Sequence, residues 1–474
     1  MNSMDSSVRD QDTSVSQNIL SSNQLGANVL EGRKPKNHIP VLDGVRAIAC
    51  LGVLSYHLDG RTGLWRHLDH IHDVPGMLTY FAAALGYAGD SGVILFFLLS
   101  GFLLFLPYTK ALLFESPWPF LRRFYLRRIF RILPGYYVAL FLLLVINHPK
   151  FLDASHWYNL WLFLTFRMDH ALSGQVDGSF WTLAIEFQFY LLLPIIAWLF
   201  SLIVRDGTLR WHMLKLTLCL LLLTAWGLLT RYWGLSIANT SKLNFLFPHR
   251  VSAVLKPYLY SDTGKYFEVF AVGMLLSMVY TYTQYAPSAE AWRIRIRYLS
   301  SLLFTAGLAL LFLLSLWYFY FKHVGVDVYN YSKHYANHIK QIPVFTFLDP
   351  RIPIIMYRYW LEWEALAYAI GYGLCLLALL YGSPRLKRPF EAFVLRWVAL
   401  ISFSFYIWHE PLLDVFTRFI LVNIRRQNWS PLVQYSAFWW WTLIVIFPAS
   451  AMLYHCIEKP GMRLGKWLIR KLER

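Results

Sequence analysis

Apolar runs of about twenty residues recur along most of this chain, divided by short polar segments rich in Lys and Arg. A helix of ~20 apolar residues crosses the hydrocarbon of a bilayer. The pattern predicts such helices at 40–58, 87–106, 130–147, 181–204, 213–235, 264–283, 298–321, 359–382, 397–422 and 435–457. One further run, WYNLWLFLTF at 157–166, is too short to cross and reads as a re-entrant or interfacial piece. The expected fold is an all-α polytopic membrane bundle of about ten transmembrane helices. The first residues break the pattern. They are polar, rich in Ser and Asn, and hold no apolar stretch of signal-peptide length, which predicts a disordered tail. The expected organisation is a disordered cytoplasmic tail at 1–39, a transmembrane domain at 40–460 and a basic cytoplasmic tail at 461–474.

Charge orients the bundle. With the N-terminus inside and ten crossings, 26 of the 44 Lys and Arg fall on inner segments and 15 on the longer outer ones. Counting 157–166 as a crossing would put RDGTLRWHMLK, RIRIR and the basic C-terminus outside. The positive-inside rule therefore predicts that both termini are cytoplasmic. The longest outer loop, about 322–358, is rich in Tyr, His and Lys and suits a polar acceptor.

Composition narrows the function classes. The 474 residues are 57% hydrophobic and 15% charged, against roughly 25% charged in soluble domains. The formal charge of +17 would suggest nucleic acid in a soluble protein. Here it belongs to the membrane-flanking loops, so membrane lipids and not nucleic acid are the expected partner. Cys50, Cys219, Cys375 and Cys456 all fall in apolar runs and imply no disulfide framework.

Ionisable residues inside spans are costly and mark function. The first span, VLDGVRAIACLGVLSYHL, holds Asp43, Arg46 and His57. Arg46 and His57 are eleven residues apart, close to three turns, so they share a face about 16 Å apart along the axis. Asp43 lies one turn before Arg46 and can pair with it. The fourth span enters from outside as FWTLAIEFQFYLLLPII and puts Glu186 level with His57. A carboxylate beside an imidazole fixes its tautomer and stabilises the imidazolium. In RRFYLRRIFRILPGYY, Arg123, Arg127 and Arg131 recur along one helical face, with Arg128 beside them. Guanidinium forks suit phosphate, and lipid headgroups are the alternative ligand. Ser100 lies mid-span, flanked by Gly92 and Gly101, and reads either as a site residue or as a packing residue. Trp408, His409 and Glu410 precede Pro411, whose kink opens a cavity or a packed break. The loop RHLDHIHDVPG lacks a recognised zinc spacing, so no metal is expected.

These motifs together resemble the membrane acyltransferase-3 family, whose characterised members O-acylate sugars and related acceptors. LDGVRAIACLGVLSYH is similar to the first-helix signature, with Arg46 and His57 separated by ten residues. GVILFFLLSGFLL is similar to the second block, and FYLRRIFRILPGYYV to the third, with its Arg-x-x-Arg at Arg128 and Arg131. FWTLAIEFQFYLLLP is similar to the Trp-x-Leu-x-x-Glu-x-Gln-Phe-Tyr block at Trp181, Glu186 and Tyr190. ISFSFYIWHEPLL is similar to the late Trp-His-x-Pro block at Trp408 and His409, and CIEKPGMRL to the closing segment. Two departures stand out. Ile94 occupies a position where many relatives carry Asp, with Asp90 one turn earlier, and Phe187 follows Glu186 where a second acid is usual. Some members carry a further soluble domain at the C-terminus. This sequence ends about a dozen residues after the last block, so the resemblance implies none here or a separate partner.

The resemblance implies an integral membrane O-acyltransferase, expected in the plasma membrane. Its donor would be acyl-CoA, most simply acetyl-CoA, arriving from the cytoplasm as a co-substrate; no bound cofactor is implied. Arg128 and Arg131, with Arg46 deeper, would hold the donor's phosphates. His57 would act as general base on a hydroxyl of a sugar, glycan or lipid-linked acceptor, and Glu186 would orient it. A covalent acyl-His relay is the open alternative. Asp43, Ser100, Trp181, Tyr190, Trp408 and His409 would line the site. A transporter or flippase is the rival reading, since intramembrane charges also mark transport pathways; the inverted repeats that would favour it are not evident.

Overall fold

The computed structural model describes residues 39–64, 76–169, 176, 178–237, 249–261, 263–324 and 351–473. The expected disordered tail, the His/Asp-rich loop around His67 and most of the 322–358 loop lie outside the described residues. Among the described residues every regular element is helical. The long ones are α1 (Val41–Thr62), α2 (Gly92–Phe114), α3 (Leu121–Ile146), the short α4 (Trp157–Leu164), α5 (Phe180–Val204), α6 (Leu209–Tyr232), α7 (Phe267–Tyr285), α8 (Ser300–Val324), α9 (Arg351–Tyr381), α10 (Phe393–Phe416) and α11 (Pro431–Leu472).

Eight of these helices are long and apolar enough to cross a membrane, α2 joining the end of a preceding helix to make one run, Ala82–Phe114. They correspond to eight of the ten expected spans. The other two expectations fall on α7 and α10, 19 and 24 residues long. These two are less apolar because they carry Glu268, His409 and Glu410. Residues 157–164 form an eight-residue helix with Trp157, Tyr158 and Trp161 exposed. At ~1.5 Å per residue it reaches about 12 Å, far short of a crossing.

Helix ends follow local chemistry. α1 stops at Gly63, which takes φ +65° and donates its N–H to the Asp59 carbonyl at 2.7 Å, a left-handed cap that glycine adopts without strain. α3 starts nine residues before the expected span, because its arginine-rich first turns are good helix formers although they are not apolar. The basic segment 461–474 is also mostly helical. It packs along α3, where a Cβ added at Gly461 would come 2.9 Å from the Phe130 carbonyl oxygen.

The centre is a close pairing of α2 with α7. A Cβ at Gly101 would lie 2.3 Å from the Phe270 oxygen, and one at Gly273 would lie 2.1 Å from the Leu98 oxygen. Backbones this near require glycine, the usual small-residue device in a lipid-embedded bundle, where burial from water drives nothing. The Phe270 ring stacks on Phe189 of α5, with centroids 3.8 Å apart. A second contact of the same kind brings α1 to the turn before α2: a Cβ at Gly89 would lie 2.2 Å from the Gly52 oxygen. Cys50, Cys219 and Cys375 are buried as expected of small core side chains, whereas Cys456 is exposed.

Candidate active site

A cavity of about 310 Å³ opens where α1, α2, α3, α5 and α10 meet. Arg46 reaches it from α1, Arg128 and Arg131 from α3, Ser100 from α2, and Glu186 and Tyr190 from α5. The i, i+3 spacing of Arg128 and Arg131 puts both guanidinium groups on one face, and Glu186 and Tyr190 share a face for the same reason. Ser100 and Tyr190 both donate hydrogen bonds to Oε1 of Glu186. Arg128 lies over the Tyr190 ring at 5.7 Å. Its Nε is buried and makes no hydrogen bond within the protein. Asp43 sits one turn before Arg46 and acts on it electrostatically.

Three guanidinium groups and one carboxylate line the cavity, and Asp43 beside Arg46 and the buried Glu458 near Arg131 offset part of the remaining positive charge from outside its wall. Uncompensated positive charge inside an apolar bundle is costly, and an orphaned buried donor is costly as well. Both deficits are relieved by the same kind of guest, an anion with several acceptor oxygens.

Across the cavity wall stands a second polar group. Tyr406 of α10 lines the cavity, and its hydroxyl shares a 2.7 Å hydrogen bond with Thr182 of α5, also on the wall. Its carbonyl oxygen lies 2.7 Å from Nδ1 of His409. A carbonyl only accepts, so Nδ1 carries the proton, and in the neutral ring Nε2 of His409 is a bare lone pair. That atom is buried and has no hydrogen-bond partner. The His409 ring stands 5.2 Å from the His57 ring. His57, near the far end of α1, places Nδ1 on Oε1 of Glu410, and Arg61 grips Oε2 of the same carboxylate. Arg61 also donates to Oδ1 of Asp414 at 2.8 Å and to the His57 carbonyl at 3.2 Å. The sequence thus runs from arginine cavity to Tyr406, His409, His57, Glu410 and Arg61.

The expected contact between His57 and Glu186 is not the one that forms. Glu186 belongs to the arginine cavity with Ser100, and Glu410 is the carboxylate on His57. Counting turns sets the depth of a Cα but not the direction its side chain takes around the helix. At its depth Glu186 faces α2 and α3, while His57 faces α10. Of the other expected lining residues, Arg46, Ser100, Arg128, Arg131 and Tyr190 share the first cavity. His409 stands beside His57, Trp408 packs half-buried against the apolar core, and Trp181 lines a second, smaller cavity.

Glu410, Arg61 and Tyr406 complete the site without having been assigned from the motifs. Glu410 was legible beside His409 as a residue lining the cavity or packed break at Pro411, with nothing to say which imidazole it meets. Nearby, Lys265 is buried against Asp169 and donates to Oε1 of the Gln188 side chain at 2.9 Å, tying the segment before α5 to α5 and to the start of α7. His57, His409 and Glu410 each offer one ligand-type atom, all within 4.8 Å of one another. The spacing would admit a cation, but the Glu410 carboxylate is already shared between His57 and Arg61.

The model of the acyltransferase-3 family, described as an acyltransferase domain, matches residues 39–452. The chain is 24% identical over 456 residues to a peptidoglycan O-acetyltransferase, OatA, of Listeria monocytogenes, covering 91% of this chain and 57% of that protein. It is 26% identical over 230 residues to a putative O-acetyltransferase of Staphylococcus aureus, covering 45% of this chain and 31% of that one. A putative peptidoglycan O-acetyltransferase of Bacillus subtilis, YrhL, is 32% identical over 173 residues, 33% of this chain and 23% of its own. The chain therefore spans little more than half the length of the first of these relatives and less of the others. No solved structure matches it significantly.

Proposed function

The chain belongs to the acyltransferase-3 family, and on that footing we propose that it transfers an acetyl group from acetyl-CoA to a hydroxyl of a sugar or glycan. The observation that carries this reading is the arginine cavity lying next to a carboxylate-bound histidine. One half suits an anionic donor, and the other suits deprotonation of a hydroxyl.

Arg128 and Arg131 hold phosphate oxygens of the donor, and the unpaired Nε of Arg128 finds its acceptor there. The cavity is far smaller than the whole coenzyme, so it receives only part of it. Glu186 keeps Ser100 and Tyr190 ordered and offsets part of the arginine charge. The thioester end extends toward Tyr406, the wall nearest the histidines.

His57 is the base. Glu410 accepts from Nδ1, which leaves Nε2 to take the hydroxyl proton. The hydroxyl oxygen attacks the thioester carbonyl, a C–O bond forms and the C–S bond breaks. The departing thiolate takes the proton back from the imidazolium. Glu410 stabilises the charged ring between those events. His409, its tautomer held by the Tyr406 carbonyl, offers a second lone pair beside His57.

Relatives named as peptidoglycan O-acetyltransferases support a glycan acceptor and, with it, a plasma-membrane location, and the charge asymmetry of the loops supports a donor arriving from the cytoplasm. The test is turnover by the purified full chain, read as free thiol released from acetyl-CoA when glycan is supplied. His57→Ala should abolish release while acetyl-CoA still binds. Normal release by that variant would remove His57 from the mechanism.

A further inference from the structure

A second cavity, about 130 Å³, adjoins the first, and Val93 lines both. Trp181 faces this one while its neighbour Thr182 faces the other. Its walls combine aromatic rings and acids. Trp181 and Tyr266 lie 6.1 Å apart at an interplanar angle of 34°, and Tyr318 and Tyr368 line the same space. Asp90 and Glu364 bring two carboxylates. Tyr318 donates to Oδ2 of Asp90 at 3.4 Å. The hydroxyl of Thr263, also on the wall, is buried and makes no hydrogen bond within the protein.

We propose that this cavity holds one neutral sugar ring of the acceptor, with Trp181 stacked on its apolar face and Asp90 and Glu364 accepting from its hydroxyls. The assignment rests on the acyl-transfer reading above and names the subsite that reading lacks.

Each feature of the wall selects for such a ring. A pyranose has a C–H face that packs on an aromatic ring and an equatorial rim of hydroxyl donors. Carboxylates are the strongest acceptors for those donors, and the lone Thr263 hydroxyl adds another polar contact. Two acids disfavour a phosphate or an acidic sugar. A quaternary or alkyl ammonium would also suit rings and acids, but Arg231 already lies over the Tyr266 ring at 4.5 Å. That guanidinium is 4% exposed and held by Glu268 at 2.7 Å, so a second cation would meet a fixed positive charge. The space admits one ring and not a length of polymer.

Position agrees with chemistry. Asp90 lies in the turn that the Gly52–Gly89 contact presses against α1, a single turn from Tyr56 and His57. Tyr56 is in edge contact with the His57 ring, centroids 5.6 Å apart. A ring seated against Trp181 and Asp90 is thus on the same side of the bundle as the proposed base, with the donor cavity next to it.

The test uses the full chain in producing cells, reading acetate released by mild alkali from their purified surface glycans. The same variants, purified, are then titrated with acetyl-CoA. Trp181→Ala and the double variant Asp90→Asn/Glu364→Gln should lower glycan-bound acetate by about tenfold or more while acetyl-CoA affinity stays within about twofold of the parent. Trp181→Phe, which keeps a stacking face, should retain most of the incorporation. Undiminished acetate in both the Trp181→Ala and the double variant, with His57→Ala still inactive, would overturn the subsite and leave the acyl-transfer reading standing. Equal loss of acetyl-CoA affinity would make the cavity merely structural and overturn it too. Inhibition by choline but not by N-acetylglucosamine oligomers would replace the sugar with a cation. Absence of both glycan acetate and thiol release in the parent protein would sink the two readings together.

Discussion

Glu410→Gln isolates the step that distinguishes this arrangement from a histidine merely buried near a cavity. The substitution keeps size and shape and removes one negative charge. Two unit charges ~4 Å apart attract by about 4 kcal/mol at an effective dielectric of ~20. That is the ceiling for what the Glu410 carboxylate contributes to an imidazolium at His57. Two facts lower it. Arg61 shares the same carboxylate, and the side chains of His57 and Glu410 are 27% and 12% exposed, so solvent screens part of the field. About 2–3 kcal/mol remains, which is a roughly 30- to 150-fold fall in kcat at 1.36 kcal/mol per decade. The fold should survive, because Arg61 keeps Asp414 at 2.8 Å and no cavity is opened. The assay is initial-rate thiol release from acetyl-CoA with saturating glycan, with Asp414→Asn as the control. Asp414 is half-exposed and its carboxylate pairs with Arg61 and not with His57, so that control should stay within about threefold. If Glu410→Gln turns over within threefold of the parent protein, the carboxylate does not serve the histidine and the proton-transfer argument fails.

Three further outcomes follow from the same geometry. Arg128→Ala should weaken acetyl-CoA binding by about tenfold or more, since a hydrogen bond to a charged group is worth roughly 1.5–3 kcal/mol; isothermal titration showing unchanged affinity would mean the arginines only anchor α3. Gly273→Leu should lower the melting temperature sharply or prevent folding, because a Cβ there would come 2.1 Å from the Leu98 oxygen, and normal thermal unfolding would refute the tight α2–α7 contact. Incubation with EDTA followed by desalting should leave thiol release unchanged; a loss restored by added zinc would show that His57, His409 and Glu410 hold a metal instead of moving a proton.

Much of this molecule is written in one dimension. A bilayer demands that backbone polar groups be satisfied within each span, so helices are obligatory and their positions follow from apolar length alone. That is why eight expected spans coincide with apolar helices and why WYNLWLFLTF stops at eight helical residues. The arginines of α3 were equally legible, because i, i+3 and i, i+4 spacing is local geometry and fixes which side chains share a face. Residues that are costly in a membrane stand out along the chain as well: Arg46, His57, Glu186 and His409 each lie in an apolar run and each demand a partner or a role there.

What only the tertiary structure decided is which of those residues meet. Helix periodicity gives the face and depth of a side chain, but the rotation of one helix against another depends on how close their backbones come. Here glycines at 101, 273, 52 and 89 set that approach. The result turns Glu186 toward the arginines and gives His57 to Glu410, a residue 353 positions away in the chain that no local spacing connects to it. The same rotation places Trp181 and Thr182, adjacent in sequence, on the walls of two different cavities.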